Sequence, residues 1–137
     1  MLIITADHGH LISNKKNILP SKMSHYLRDK RVFIENRSPA FLVTPGKEKE
    51  FKEEFNKEFG KDFFLLSKKE ILDYNLFGEY SEESKHELFE NSFGDFMAIS
   101  KDTSNKALIG EADHVMSSYH GGYSDEEIFI PLIVLSN

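Results

Sequence analysis

The sequence contains no cysteine. That one absence removes disulfide staples, thiolate nucleophiles and cysteine-type zinc sites together. Any metal must therefore be held by histidine and carboxylate. Proline is scarce, with 4 in 137 residues, so no proline-rich linker divides the chain. Long apolar runs are missing too: nothing approaches the roughly 20 residues that cross a bilayer. The first twelve residues lack a basic region and are interrupted by Asp7 and His8, which does not fit a secretory signal. The expected location is cytoplasmic, with no membrane partner. Cations are in deficit, 17 Lys and Arg against 23 Asp and Glu, a net charge of −6. Nucleic-acid binders normally show a basic face, so no nucleic acid is expected as a partner. A phosphate-bearing small molecule stays compatible, because a bound dication supplies local positive charge.

What is present is a sizeable apolar fraction, 39% with 12 Phe, enough for a core in one domain spanning 1–137. Residues 1–6 form a short apolar, β-branched run, as expected of a buried strand. Residues 13–30 are polar and irregular, with a helical turn expected at Ser24–Arg28. Strands are expected at Arg31–Glu35 and Ala40–Thr44, joined by the turn Asn36-Arg37-Ser38-Pro39. Phe51, Phe55 and Phe59 recur every four residues, which predicts an amphipathic helix over Lys47–Phe59 with Gly60 as its C-cap. The acidic residues there read as a solvated face, and the three Phe as core.

A strand follows at Asp62–Leu66. Ser67 and Glu70 have capping-box spacing and open a helix to about Tyr74. Ser81–Glu90 reads as an acidic helix, Gly94–Ser100 as a strand and Ala107–Ile109 as a short one. Ser124 and Glu127 repeat the capping box, giving both a structural role. A last strand is expected within Ile128–Leu135, beginning near Pro131. Helices alternating with strands define an α/β class with a mixed sheet.

Two motifs carry the chemistry. Asp7-His8-Gly9 lies just past the carboxyl end of the first strand, where ligands sit in open α/β sheets. His120 precedes Gly121-Gly122, where the backbone can approach another group closely. A carboxylate and two imidazoles are good ligands for Zn²⁺ or Mn²⁺. His10 can add a donor, though a solvent-facing loop histidine is the simpler reading. Asp113-His114 repeats the dipeptide without the strand. His25 and His86 sit in polar contexts and read as solvated. Lys15, Lys16, Arg28, Lys30 and Arg31 form a modest basic stretch, again best read as surface.

Taken together, Ile4-Thr5-Ala6-Asp7-His8-Gly9 and Tyr119-His120-Gly121-Gly122-Tyr123-Ser124-Asp125-Glu126-Glu127-Ile128-Phe129-Ile130-Pro131-Leu132-Ile133 resemble the C-terminal part of the alkaline phosphatase superfamily. The type I phosphodiesterase/nucleotide pyrophosphatase branch is the best match. PglZ-type proteins and cofactor-independent phosphoglycerate mutases have similar ends. Phe93-Gly94-Asp95-Phe96-Met97-Ala98-Ile99 resembles a strand that these proteins carry ahead of the HGG motif. The resemblance implies a mixed-sheet α/β sandwich, a partial alkaline-phosphatase-like fold lacking its N-terminal half. It implies two divalent metal ions, Zn or Mn, with Asp7 and His8 on one and His120 on the other. It also implies a phosphate-ester or nucleotide substrate.

The nucleophile and the remaining ligands of that family lie upstream of the first motif. No catalytic residue is therefore expected in this chain, and metal occupancy is expected to be weak or partial. Three readings follow: a C-terminal piece of a metal-dependent phosphodiesterase, a non-catalytic scaffold or self-association module, or one half of a split enzyme. A homo-oligomer or a missing N-terminal half is the expected partner. Nucleotide, sugar phosphate, phosphonate and lipid phosphate all remain open as substrates.

Overall fold

The computed structural model describes residues 1–12, 15–18, 21–29, 33–79, 81, 83, 86, 88–101, 106–109 and 116–136. Its elements run β1 (Leu2–Thr5), β2 (Leu11–Ile12), β3 (Lys15–Ile18), α1 (Ser21–Ser24), β4 (Phe33–Glu35), β5 (Ser38–Phe41), α2 (Glu48–Phe59), β6 (Phe63–Ser67) and α3 (Lys68–Asp73). A 3₁₀ turn at Phe89–Asn91 follows, then β7 (Phe96–Ser100), β8 (Lys106–Ile109), β9 (Ser118–Tyr119), α4 (Asp125–Ile128) and β10 (Leu132–Leu135).

The main sheet has four antiparallel strands in the order β4-β5-β7-β6. Alternation along β7 sends its side chains to two separate cores. Phe96 and Ala98 join Phe41, Phe63 and Leu65 beneath the Phe51, Phe55 and Phe59 stripe of α2. Met97 and Ile99 join Ile71 of α3 and Phe93 on the other face. The result is a helix–sheet–helix sandwich. The one parallel pair among the described strands, β3 with β8, makes the architecture mixed.

The Phe spacing and the first capping box are realised almost to the residue. Ser67 N–H and Oγ–H donate to Glu70 Oε2 at 2.7 and 2.6 Å, and Glu70 N–H returns to Ser67 Oγ at 3.3 Å. Gly60 caps α2 by donating to Asn56 O, in a right-handed conformation.

Four expectations are corrected. The helical turn lies at Ser21–Ser24, and Leu27 already bridges to Val43. The hairpin turn is only Asn36-Arg37, with Ser38 and Pro39 inside β5. None of the described residues Ser81, Glu83, His86 and Leu88 is helical, so the acidic helix is not seen there. Most important, β1 is not buried. It pairs antiparallel with β10, and all eight residues of this ribbon are exposed, the seven apolar ones from Ile4 at 48% to Leu132 at 70%. The end of the chain is as expected: Ile128 closes α4, and the last strand starts at Leu132, next to Pro131.

Candidate metal centre

The two motifs meet through short strand pairs. β1 ends at Thr5 and releases Asp7, His8, Gly9 and His10 as a turn. β2 then pairs antiparallel with β9, Leu11 opposite Tyr119. Continuing that register by one step sets His10 opposite His120.

The three imidazoles form a cluster. The His8 and His120 rings stack, centroids 3.9 Å apart and 16° between planes. His10 lies 4.9 Å from His8 and 5.2 Å from His120. Two carboxylates flank them: Asp7 Oδ2 is 3.6 Å from His8 Nε2, and Glu35 Oε2 is 3.6 Å from His120 Nε2. The cluster faces solvent, with the His8 side chain 36% and the His120 side chain 29% exposed.

A hydrogen bond from its own backbone N–H, followed by the nearby His8 charge and the His8 N–H, holds the Asp7 carboxyl below the usual carboxylate range. It stays ionised and available to a cation. His8 Nδ1 is 3.0 Å from Gly9 O. A carbonyl can only accept, so this contact directs Nδ1–H at Gly9 O and leaves Nε2 as the ring nitrogen facing Asp7.

The donor types fit a divalent metal, but the geometry is not preformed. Among the described residues, no three His, Asp or Glu side chains are arranged to hold one ion. With His8 Nε2 beside Asp7 and His120 Nε2 beside Glu35, side-chain rearrangement must accompany binding of one ion by all of them.

Beneath the cluster the backbone is held tightly. Gly9 N–H donates to Glu127 O at 3.2 Å, and a Cβ on Gly9 would sit 1.8 Å from Glu126 O. Gly121 has φ +94°, and a Cβ there would meet Glu35 Cβ and Ser38 Oγ at 2.9 Å. Only glycine allows the His120 turn to lie against the β4–β5 hairpin in this way.

Glu127 is the anchor. Its Oε1 accepts from Arg37 Nε at 2.6 Å and from Gly122 N–H at 2.8 Å. Its Oε2 accepts from Arg37 Nη2 and from Ser124 Oγ, both at 2.8 Å. Burial pushes the Glu127 carboxyl up, but these hydrogen bonds outweigh it and hold the group below its ordinary value. Arg37 Nη1 also reaches Lys106 O at 3.0 Å, tying the hairpin to β8.

Asp7, His8 and His120 are thus brought together. His10, read from sequence as a loop residue facing solvent, is exposed yet belongs to the cluster. Glu35 and Arg37 carried no signal in the sequence, because only tertiary pairing brings the 35–38 hairpin beneath residue 121. His25 and His86 are exposed and far from this assembly in the chain. Asp113, His114, Lys30 and Arg31 lie outside the described residues, as do the side chains of Lys15 and Lys16. Arg28 pairs with Asp95 at 2.8 Å.

No protein-family model matches the sequence, and no curated protein matches it. Solved structures do match in fold. Human ectonucleotide pyrophosphatase/phosphodiesterase 5 superposes with a TM-score of 0.58 at 14% identity, covering 90% of this chain and 29% of that one. Phosphonoacetate hydrolase from Sinorhizobium meliloti, solved with phosphonoformate, gives 0.64 at 16% identity, covering 96% and 35%. An inactive murine ectonucleotide pyrophosphatase/phosphodiesterase 5, solved with AMP, gives 0.56 at 17%, covering 95% and 32%. The fold is therefore part of an alkaline-phosphatase-like α/β fold, and the chain spans about a third of the length of the structures it matches. Among the described residues, no helix is long and apolar enough to cross a membrane.

Proposed function

We propose that this chain is the ligand-bearing part of a metal-dependent phosphoesterase of the phosphodiesterase/nucleotide pyrophosphatase type. Asp7, His8 and His120 are its metal ligands, with His10 as a further donor. One observation carries the reading: residues from opposite ends of the chain stack at 3.9 Å, next to two carboxylates, with donor types that suit Zn²⁺ or Mn²⁺. Two structures of similar fold were solved with AMP and with phosphonoformate, which supports a phosphate ester or nucleotide as the ligand class. When bound, the metals polarise phosphoryl oxygens and offset the charge of an acidic chain.

The protein's own contribution is positional. Asp7 is kept ionised, the Gly9 O contact fixes the His8 tautomer, and Glu127 clamps both motifs. The nucleophile is not assigned to any residue here, so activity requires further polypeptide. The uncovered β1–β10 ribbon supports the same conclusion, since its apolar faces gain by packing against more chain. That chain is a second copy or the N-terminal half, and a cytoplasmic location belongs to this reading. Calorimetric titration with Zn²⁺ tests the ligand assignment. Saturable binding that is lost in His8→Ala and His120→Ala is expected, and equal binding in all three proteins contradicts it.

A further inference from the structure

On the α3 face of the sheet lies a pocket of about 510 Å³ that opens beside the His120 turn. Its wall is built from Phe77, Phe89, Phe93, Met97, Ile99 and Tyr123, and no charged side chain lines it among the described residues. Phe77 stacks on Phe93 with centroids 5.3 Å apart and 9° between planes. Phe89 stands edge-on to both, at 84° to Phe77 and 88° to Phe93. These contacts fix the rings, so the pocket is formed before anything enters it. Phe93, Met97 and Ile99 belong to the core, whereas Phe77 and Tyr123 are 53% and 44% exposed. Exposed aromatic rings beside a buried apolar floor are not explained by folding alone.

The remaining lining is Leu76 with the small residues Ser38, Ser92 and Gly121. Gly121 and Ser38 sit on the edge nearest the metal centre. Gly121 is bonded to His120, and a Cβ on it would touch Ser38 Oγ, so it separates the two sites by the thickness of a backbone. One ligand can span both.

We infer that this pocket binds the planar aromatic group of a phosphate or phosphonate ester whose phosphoryl end lies at the histidine cluster. Placing the phosphoryl end rests on the metal-centre reading above; the preference of the pocket for a ring does not. A volume of this size suits a ring with substituents, in the range of small-molecule sites. The flat faces and edges of Phe77, Phe89 and Phe93 favour a π-system over an aliphatic chain. The described lining, apolar and uncharged, disfavours a bare sugar phosphate or an anionic substituent.

Backbone amide NMR of the 137-residue chain tests this, with phenylphosphonate, cyclohexylphosphonate and methylphosphonate as probes, each with and without Zn²⁺. Phenylphosphonate is expected to shift the Phe77, Phe89, Met97 and Gly121 amides in both conditions, and methylphosphonate to leave the first three unmoved. Phe77→Leu keeps apolar bulk but loses the ring, and should weaken phenylphosphonate roughly tenfold. No shift at those amides, or equal affinity for the cyclohexyl probe, overturns the pocket. If Zn²⁺ and methylphosphonate leave His8 and His120 unchanged while phenylphosphonate still moves the pocket amides, the aromatic site stands and the metal reading falls.

Discussion

Arg37 and Glu127 form a bidentate ion pair sealed from solvent, with side chains 0% and 1% exposed and contacts of 2.6 and 2.8 Å. Arg37 sits in the β4–β5 turn and Glu127 in α4. Glu127 also holds the Gly122 and Ser124 positions, and its carbonyl holds Gly9. One pair therefore sets the distance between the Asp7-His8 turn and the His120 turn. Removing one partner leaves a buried charge alone. Arg37→Met or Glu127→Gln should cost about 3–5 kcal/mol, and the double change Arg37→Met with Glu127→Leu should recover much of that loss. Urea unfolding of the three variants measures it.

The same pair predicts an acid limit. The folded pKa of Glu127 lies below its unfolded value, ordinarily about 4.3. Its contribution to stability is complete above that value and is lost as pH falls through the folded pKa. Wild-type stability should fall below about pH 4 more steeply than that of Glu127→Gln. Parallel unfolding curves across that window would show that Glu127 is not depressed.

Gly9 offers a steric test. Its Cβ has no room against the carbonyl of Glu126. Gly9→Ala should destabilise by about 2 kcal/mol or more, because backbone has to move. It should also weaken Zn²⁺ binding, since the turn that carries Asp7 and His8 shifts with it. Thermal melts and titration together check this.

Much of the scaffold was legible in the sequence. The four-residue Phe spacing gave α2, Ser67 and Glu70 gave α3, and β-branched runs gave strands near their true bounds. What failed has a common cause. β3 reads Lys-Lys-Asn-Ile, which carries no strand signal, and it forms by parallel pairing with the buried β8. β1 reads as a buried strand because apolar runs usually find cover, yet here its partner is the equally exposed β10. Asp7, His8 and His120 were recognisable from their glycine-flanked motifs. His10 joined them only through the β2–β9 register, and Glu35 and Arg37 only through the hairpin.

The ribbon predicts association. Leu2, Ile3, Ile4, Leu132, Ile133, Val134 and Leu135 together expose an apolar surface on both faces. The chain should self-associate when no other partner is present. Lysine at an exposed apolar strand position opposes pairing and packing, so Ile3→Lys with Ile133→Lys should shift the mass toward monomer. Light scattering coupled to size exclusion reads the change, and an unshifted monomeric wild type would contradict it.

Paramagnetic broadening of histidine ring resonances by substoichiometric Mn²⁺ tests the metal centre most directly. The account predicts that the His8, His10 and His120 rings broaden first, while His25 and His86 stay sharp. Uniform broadening of all these histidines, or none at His8 and His120, would contradict a metal site formed by the two ends of the chain.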